Sequence, residues 1–388
     1  MTAVCDEPGV RRPRLCYVVA TEMTVSAFLA GHIRAAAERY EVSVAMNAND
    51  PAALEKQGLR ATLLPVPIER RISLWRDMCA LWTLYRHFYH GRFDMVHSVT
   101  PKAGLVGMLA AKLAGVPRRL HTFTGQVWVT RRGWRRALLK MADRLLAGLT
   151  THTLVDSASQ RDFLVAEGVL PAAKAQVIGQ GSICGVDTAR FRPNEEARCS
   201  VRGRLGIADS TTVLLFLGRL NRDKGILDLA TAFAALAGRF PDLCMLLVGP
   251  DEDGLAEQVR EICRTAADRL YFVGYTHEPE SFMAASDIFC LPSYREGFGM
   301  AAVEAAAAGL PAVASRIYGI TDSVADGQTG LLHPPGDAAA IAAAIACLLV
   351  DPDGRQAMGV QARKRVLADF SAEIISRELM VYYEKMLA

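Results

Sequence analysis

An α/β fold of two doubly wound, parallel-sheet domains is predicted by three features of the sequence. The chain has 388 residues, more than one core of about 250 to 300 residues usually holds. Short apolar runs alternate with longer helix-patterned segments almost throughout, the order that produces parallel strands covered by helices. A glycine-rich stretch at residues 179–187 interrupts the alternation near its middle, where a linker is expected. Residues 1–186 are read as the first domain, 187–370 as the second, and 371–388 as a terminal helix.

In the first half, strands are expected at 15–20, 42–46, 63–66, 95–98, 120–123, 151–155 and 176–178, each a short, mostly apolar run. Helices are expected at 27–39, 73–90, 101–114, 134–147 and 157–167, the third ended by Gly115-Val116-Pro117. The second half repeats the scheme. Strands are expected at 213–217, 243–248, 271–273, 288–291 and 312–314, and helices include 226–238 and the alanine-rich 301–308 and 338–350. Phe370-Ser371 opens a last helix to residue 386.

No apolar segment reaches the ~18 to 20 residues of a membrane span. The N-terminal arginines, Arg11, Arg12 and Arg14, are followed by a strand rather than by a leader with a cleavage site, so the cytosol is the expected compartment. Nine cysteines are scattered without a C-x-x-C pair or a supporting histidine, which argues against a metal site. An odd count argues against a disulfide framework. Those inside apolar runs, such as Cys244 and Cys290, read as small buried hydrophobes.

Two glycine turns carry the chemistry. After the strand at 288–291 comes Ser293-Tyr294-Arg295-Glu296-Gly297-Phe298-Gly299-Met300, leading into a helix that contains Glu304. A strand that empties through such a turn into a helix leaves backbone N–H groups at the helix start, where the dipole favours an anion. After the strand at 213–217 comes Gly218-Arg219-Leu220-Asn221-Arg222-Asp223-Lys224-Gly225. Arg219 and Lys224 thereby stand at the carboxyl end of a parallel strand, where open α/β sheets bind ligands.

A G-R-x-x-x-x-K-G turn followed by E-G-F-G-x-x-x-x-E resembles the nucleotide-binding half of the family 4 retaining glycosyltransferases, which have two Rossmann-like domains in the GT-B arrangement. The resemblance implies that Gly218, Arg219 and Lys224 meet the donor's diphosphate, that Glu296 holds hydroxyls of the transferred sugar, and that Glu304 bonds the ribose. It further implies that the amides of Gly297, Phe298, Gly299 and Met300 approach phosphate or sugar and that Tyr275 lies near the base. Arg219, Lys224 and Glu296 are the expected catalytic residues. The terminal helix is expected to cross back to the first domain. The donor is expected to be UDP-linked, with no metal and no cofactor.

The first domain departs from the family pattern. Ala20-Thr21-Glu22-Met23-Thr24-Val25-Ser26 has no glycine after the first strand, so close backbone approach there is not expected. Thr24 and Ser26 read as helix caps or as hydroxyl donors to the acceptor. Thr124 stands where many relatives have a histidine, and His121 inside the strand reads as a packing residue, so no catalytic histidine is assigned. Lys102, Thr124 and Gln126 are the acceptor-site candidates. Gly249-Pro250-Asp251 reads equally as a plain turn or as a border of the cleft.

Two basic, aromatic stretches lie in the first domain. Arg70-Arg71-Ile72-Ser73-Leu74-Trp75-Arg76 continues through Trp82 to Tyr89, and Arg131-Arg132-Gly133-Trp134-Arg135-Arg136 continues to Lys140. Cations with tryptophan on an amphipathic helix suit an anionic membrane surface; an ordinary solvated helix face is the competing reading. No nucleic-acid reader motif accompanies them. Bacterial members of the family commonly extend glycans on polyprenyl diphosphate, so a lipid-linked saccharide is the expected acceptor. A nucleotide-sugar 2-epimerase of the same architecture and a non-catalytic carbohydrate-binding module are the alternatives, and the sequence carries no signal for an oligomeric state.

Overall fold

The computed structural model describes residues 11–48, 50–69 and 73–388. Two all-parallel sheets organise the chain. The first contains β1 (Arg14–Thr21), β2 (Glu41–Asn47), β3 (Thr62–Pro65), β4 (Met95–Val99), β5 (Arg118–Phe123), β6 (His152–Val155) and β7 (Ala175–Val177), in the order β3-β2-β1-β4-β5-β6-β7. The second contains β8 (Thr212–Leu217), β9 (Leu243–Val248), β10 (Leu270–Gly274), β11 (Ile288–Leu291), β12 (Ala312–Ser315) and β13 (Gly330–His333), in the order β10-β9-β8-β11-β12-β13. Strand order reverses between β1 and β4 and again between β8 and β11. Such switch points place a crevice beyond the carboxyl ends of the strands. Every residue of β4, β9 and β11 is buried, as expected of strands covered on both faces.

Helices Leu74–Gly91, Pro101–Leu113 and Gly133–Leu149 pack side by side against one face of the first sheet. The other face carries helix Ala30–Ala37 and, from the far end of the chain, helix Ala372–Leu387. Ile375, Leu379, Met380, Tyr383 and Met386 form the buried stripe of that last helix. Its Tyr383 hydroxyl lies 2.5 Å from His97 Nδ1 and donates to the Tyr17 hydroxyl at 3.1 Å, while Ser376 meets His32 at 3.0 Å. The two crossings between the sheets are zipped together. Val186 N donates to Phe370 O at 2.8 Å, and Ala372 N returns to Val186 O at 2.9 Å.

Several elements differ from the sequence reading. The helix expected from residue 27 starts at Glu22 and passes through a π-turn, Val25–Leu29. Thr24 and Ser26 cap nothing: Thr24 lies against Thr21, and Ser26 Oγ donates back to Glu22 O within the helix. Strand β13 offers two apolar residues after a glycine, too short a run to register as a period. Helices Glu195–Leu205 and Pro352–Asp369 are too polar to show an apolar stripe. Cys16, Cys244, Cys263 and Cys290 are buried, whereas Cys199 and Cys347 are exposed; Cys5 lies outside the described residues.

Helix Glu195–Leu205 is locked to the second domain by Arg202, which is 1% exposed. Its guanidinium donates to Asp287 Oδ2 at 2.7 Å and to the carbonyls of Ala285, Ala208 and Thr211 at 2.9 to 3.0 Å. Asp287 in turn accepts from Val213 N at the start of β8. One side chain thus ties a helix, a loop and the central strand.

Candidate active site

The G-R-x-x-x-x-K-G turn leaves β8 and closes into one 3₁₀ turn, Arg222–Lys224, where Asn221 Oδ1 accepts from Lys224 N at 3.2 Å. Gly225 follows at φ 69°, and a Cβ there would stand 2.0 Å from Pro292 O. Glycine is required on both counts. The close approach brings the turn against the segment leaving β11, so that Lys224 Nζ lies 2.5 Å from Glu296 Oε1, which also accepts from Ser293 Oγ at 2.8 Å. Arg295 to Asp223 and Tyr294 to Asp228, at 2.8 and 2.7 Å, hold the two segments in register.

Glu296-Gly297-Phe298-Gly299 then leads into helix Met300–Ala307, with Gly299 at φ 78° and no side chain capping the helix start. The first-turn amides remain available to an anion. Phe298 anchors the turn by burial against Phe370, ring centroids 5.3 Å apart. Gly297 faces the first domain: a Cβ on it would stand 2.5 Å from Asp156 Oδ2 and 2.8 Å from Gly125 N. Neighbouring contacts join the domains, with Ser159 Oγ accepting from Gly319 N at 2.8 Å, Tyr318 donating to Gln126 at 3.1 Å, and Phe163 stacked on Tyr318 at 4.5 Å.

These turns enclose a cavity of about 350 Å³ between the carboxyl ends of the two sheets. Of the residues expected from sequence, Arg219, Lys224, Glu296, Gly297, Phe298, Gly299, Met300 and Thr124 line it. Larger hollows of about 810 and 900 Å³ open elsewhere, and neither contains a residue of the two turns.

The remaining expected residues are placed differently. Gly218 sits behind Arg219, its carbonyl 1.9 Å from where a Cβ on Gly249 would be, so Gly249 serves a close strand-end packing. Asp251 caps the following helix through Leu255 N and Ala256 N, the plain-turn reading of that segment. Tyr275 is 61% exposed beyond β10, beside His277. Glu304 is half-buried on its helix, in the field of Arg190 and Glu280.

Two acceptor candidates lie off the cavity. Lys102 is paired with Asp77 at 2.6 Å, and Gln126 is buried among Thr124 O, Gln160 and Tyr318; neither lines the cavity. His121 is buried against Ser98 at 2.8 Å and Phe123, a packing residue. Arg219 forms an exposed pair with Glu252 at 3.1 Å, the kind that water screens and an anion easily displaces. Sequence reading missed Glu252, and it missed Thr100 and Asp156, which line the cavity from the first domain. Asp156 directly follows an apolar strand, the only signal it offered.

Burial raises three carboxyls: Asp156 to about 8, Glu304 to about 7, where Arg190 opposes the shift, and Asp143 to about 6, where the Trp128 N–H opposes it. In an unfolded chain such groups titrate near 4. Between about pH 4 and 8 the folded state therefore holds more protons at these three groups than the unfolded one, and they lower stability as pH rises through that window, while the buried His32, His97 and His121, lowered by desolvation, act in the opposite direction below about pH 6.5. Going from pH 5.5 to pH 8, Asp156→Asn is expected to lose less unfolding temperature, or gain more, than the wild type. Wild type and Asp156→Asn shifting alike between the two pH values would show that Asp156 is not held neutral.

Comparison with known proteins places this geometry. Residues 200–365 match the model for glycosyl transferases group 1, and residues 25–181 match that of a glycosyl transferase 4-like domain. The UDP-Gal:alpha-D-GlcNAc-diphosphoundecaprenol alpha-1,3-galactosyltransferase of Escherichia coli is 30% identical over 267 residues, covering 67% of each chain. The chain belongs to the family 4-type glycosyltransferases. The capsular polysaccharide biosynthesis glycosyltransferase CapM of Staphylococcus aureus is 28% identical over 83% of this glycosyltransferase and 84% of its own length. The structure of Anabaena HepE in complex with UDP and glucose superposes with a TM-score of 0.79 over 96% of this chain and 100% of its own, at 19% identity, which establishes the shared GT-B fold.

Proposed function

We propose that this glycosyltransferase moves a sugar from a UDP-sugar, with retention of configuration, onto a saccharide carried by a polyprenyl diphosphate at a membrane surface. The observation that carries the reading is the Lys224–Glu296 pair, set by the two glycine turns inside the interdomain cavity. The relative whose name specifies UDP-Gal and a diphosphoundecaprenol-linked sugar supports the choice of donor and acceptor.

The mechanism follows from charge. As the bond from the anomeric carbon to the diphosphate breaks, negative charge grows on the leaving phosphate. Lys224, Arg219 swung from Glu252, and the amides at the start of helix Met300–Ala307 supply fixed positive charge toward it. Glu296, released from Lys224 as the phosphate enters, accepts hydroxyls of the transferred sugar. The acceptor hydroxyl attacks from the face of the departing phosphate, which takes its proton, so no side-chain base is assigned. The protein's own cations carry the leaving-group charge, and transfer is expected to persist in excess EDTA. The test of the reading is nucleotide release against a panel of UDP- and GDP-sugars, with and without farnesyl diphosphate-linked N-acetylglucosamine. Acceptor-dependent UDP release is expected; release of free UDP with no transfer product would favour the epimerase.

The membrane part rests on helices Leu74–Gly91 and Gly133–Leu149. Each buries one face and exposes a second apolar stripe: Trp75, Met78, Trp82 and Tyr89 on one, and Trp134, Leu138, Met141 and Leu145 on the other, all 56 to 79% exposed. Apolar stripes at helical spacing beside exposed arginines suit a bilayer interface. Arg131, Arg132 and Arg135 are exposed there, whereas Arg136 turns inward to Glu167 and Trp128; Arg70 and Arg71 lie outside the described residues. Among the described residues no helix is long and apolar enough to cross a membrane. Replacing Arg131, Arg132 and Arg135 by glutamine is expected to weaken sedimentation with phosphatidylglycerol vesicles at least tenfold, since each cation adds on the order of 1 kcal/mol. Wild-type protein that ignores such vesicles would remove the claim.

A further inference from the structure

Two polar groups of the first domain border the cavity without partners. Thr100 follows β4 and precedes the helix Pro101–Leu113, at φ 74° and ψ 143°. A β-branched residue is strained there, in a region that favours glycine. A threonine before a helix ordinarily caps it; this one makes no cap bond, and its Oγ1 is buried with no hydrogen-bond partner among the described residues. Asp156 follows β6 and is 3% exposed, with Oδ1 likewise unpartnered. Its backbone is pinned on both sides, N donating to Gln160 Oε1 at 2.6 Å and O accepting from Ser182 N at 2.7 Å, so the direction of the carboxyl is fixed.

Both residues line the cavity that holds Lys224 and Glu296, and Asp156 abuts Gly297 of the donor turn. Burying a carboxyl and a hydroxyl unpaired costs stability that an apolar side chain in either place would not. Strands β4 and β6 flank β5, so their ends stand two strand spacings apart, roughly 10 Å. The cavity of about 350 Å³ that both residues line has room for a sugar ring beside the contact of Gly297 with Gly125.

We propose that Thr100 and Asp156 are the acceptor-sugar site. The Thr100 hydroxyl and the Asp156 carboxyl hold hydroxyl groups of the acceptor sugar against the Glu296–Gly299 turn, and no proton is transferred to either. The assignment rests on the reading of the cavity as the place of transfer, and it gives the first domain the specificity that the family motifs of the second domain leave open. No cap bond to the helix start engages the Thr100 hydroxyl.

The test compares Asp156→Asn, Thr100→Gly and Thr100→Ser with the wild type in three measurements. These are UDP affinity by calorimetry, steady-state transfer from the UDP-sugar that the wild type turns over to farnesyl diphosphate-linked N-acetylglucosamine, and release of UDP from that donor with water as the only acceptor. Thr100→Gly and Asp156→Asn are expected to raise the acceptor KM at least tenfold and to leave UDP affinity within twofold. Thr100→Ser, which keeps the hydroxyl, is expected to keep the wild-type KM. Thr100→Gly relieves the strain, so its unfolding temperature is expected at or above that of the wild type, separating folding from binding. An unchanged acceptor KM in Thr100→Gly and Asp156→Asn overturns the proposal, as does a parallel loss of UDP affinity, which would make Asp156 a support of the donor turn. Wild-type protein that binds neither UDP nor GDP overturns the reading of the cavity itself, and this site with it.

Discussion

Lys224→Ala is expected to lower kcat/KM by about 10³-fold, or about 4 kcal/mol of transition-state stabilisation, with the fold intact. The size follows from position. Lys224 sits on a single turn fixed by the Asn221 cap and by the contact of Gly225 with Pro292, so its ammonium is already in place when charge develops on the leaving phosphate. Its pairing with Glu296 also sets the consequence of removal: a partly buried carboxylate is left facing the incoming diphosphate. Repulsion then adds to the lost attraction, and the double variant Lys224→Ala/Glu296→Gln is expected to bind UDP better than Lys224→Ala alone. Unaltered kcat/KM in Lys224→Ala, with circular dichroism unchanged, would remove the site assignment.

The second large effect is on stability. Arg202→Ala is expected to destabilise the second domain by about 3 to 5 kcal/mol, read as a lower urea midpoint. Four acceptors lose their donor at once, among them the buried Ala285 carbonyl. Asp287 keeps Arg198 at 2.9 Å, which limits the loss. Arg202→Lys is expected to recover only part, because an ammonium cannot span the Asp287 carboxylate and the Ala208 and Thr211 carbonyls as a planar guanidinium does. A midpoint within experimental scatter of the wild type for Arg202→Ala would mean that water replaces the guanidinium.

The two readable halves of the donor site owe their legibility to backbone demands. Gly225 and Gly299 occupy left-handed conformations, and Gly297 faces another backbone at contact distance; chemistry that depends on such turns leaves glycines at fixed spacing. The strands were legible because parallel sheets bury both faces, so β9 and β11 appear as unbroken apolar runs. Strand β13 was not, since its four residues include a glycine and a histidine. On the first-domain side, function rests on side chains brought together by the ends of β4, β5 and β6, residues 100, 124 and 156, which no local pattern links. Lys102 and Gln126 shared those strand ends in sequence, yet Asp77 and Tyr318 claim them. Arg202 was invisible for the same reason: its partners lie 83 to 85 residues away or in the loop that follows its helix.

The central claim is that the turns at Gly218–Gly225 and Glu296–Gly299 together form a nucleotide-diphosphate site. Calorimetric titration of UDP into the wild type and into Lys224→Ala tests it most directly. A single site per chain in the wild type, weakened at least tenfold in Lys224→Ala, is the predicted result; UDP binding that is equally tight in the two proteins would contradict the account.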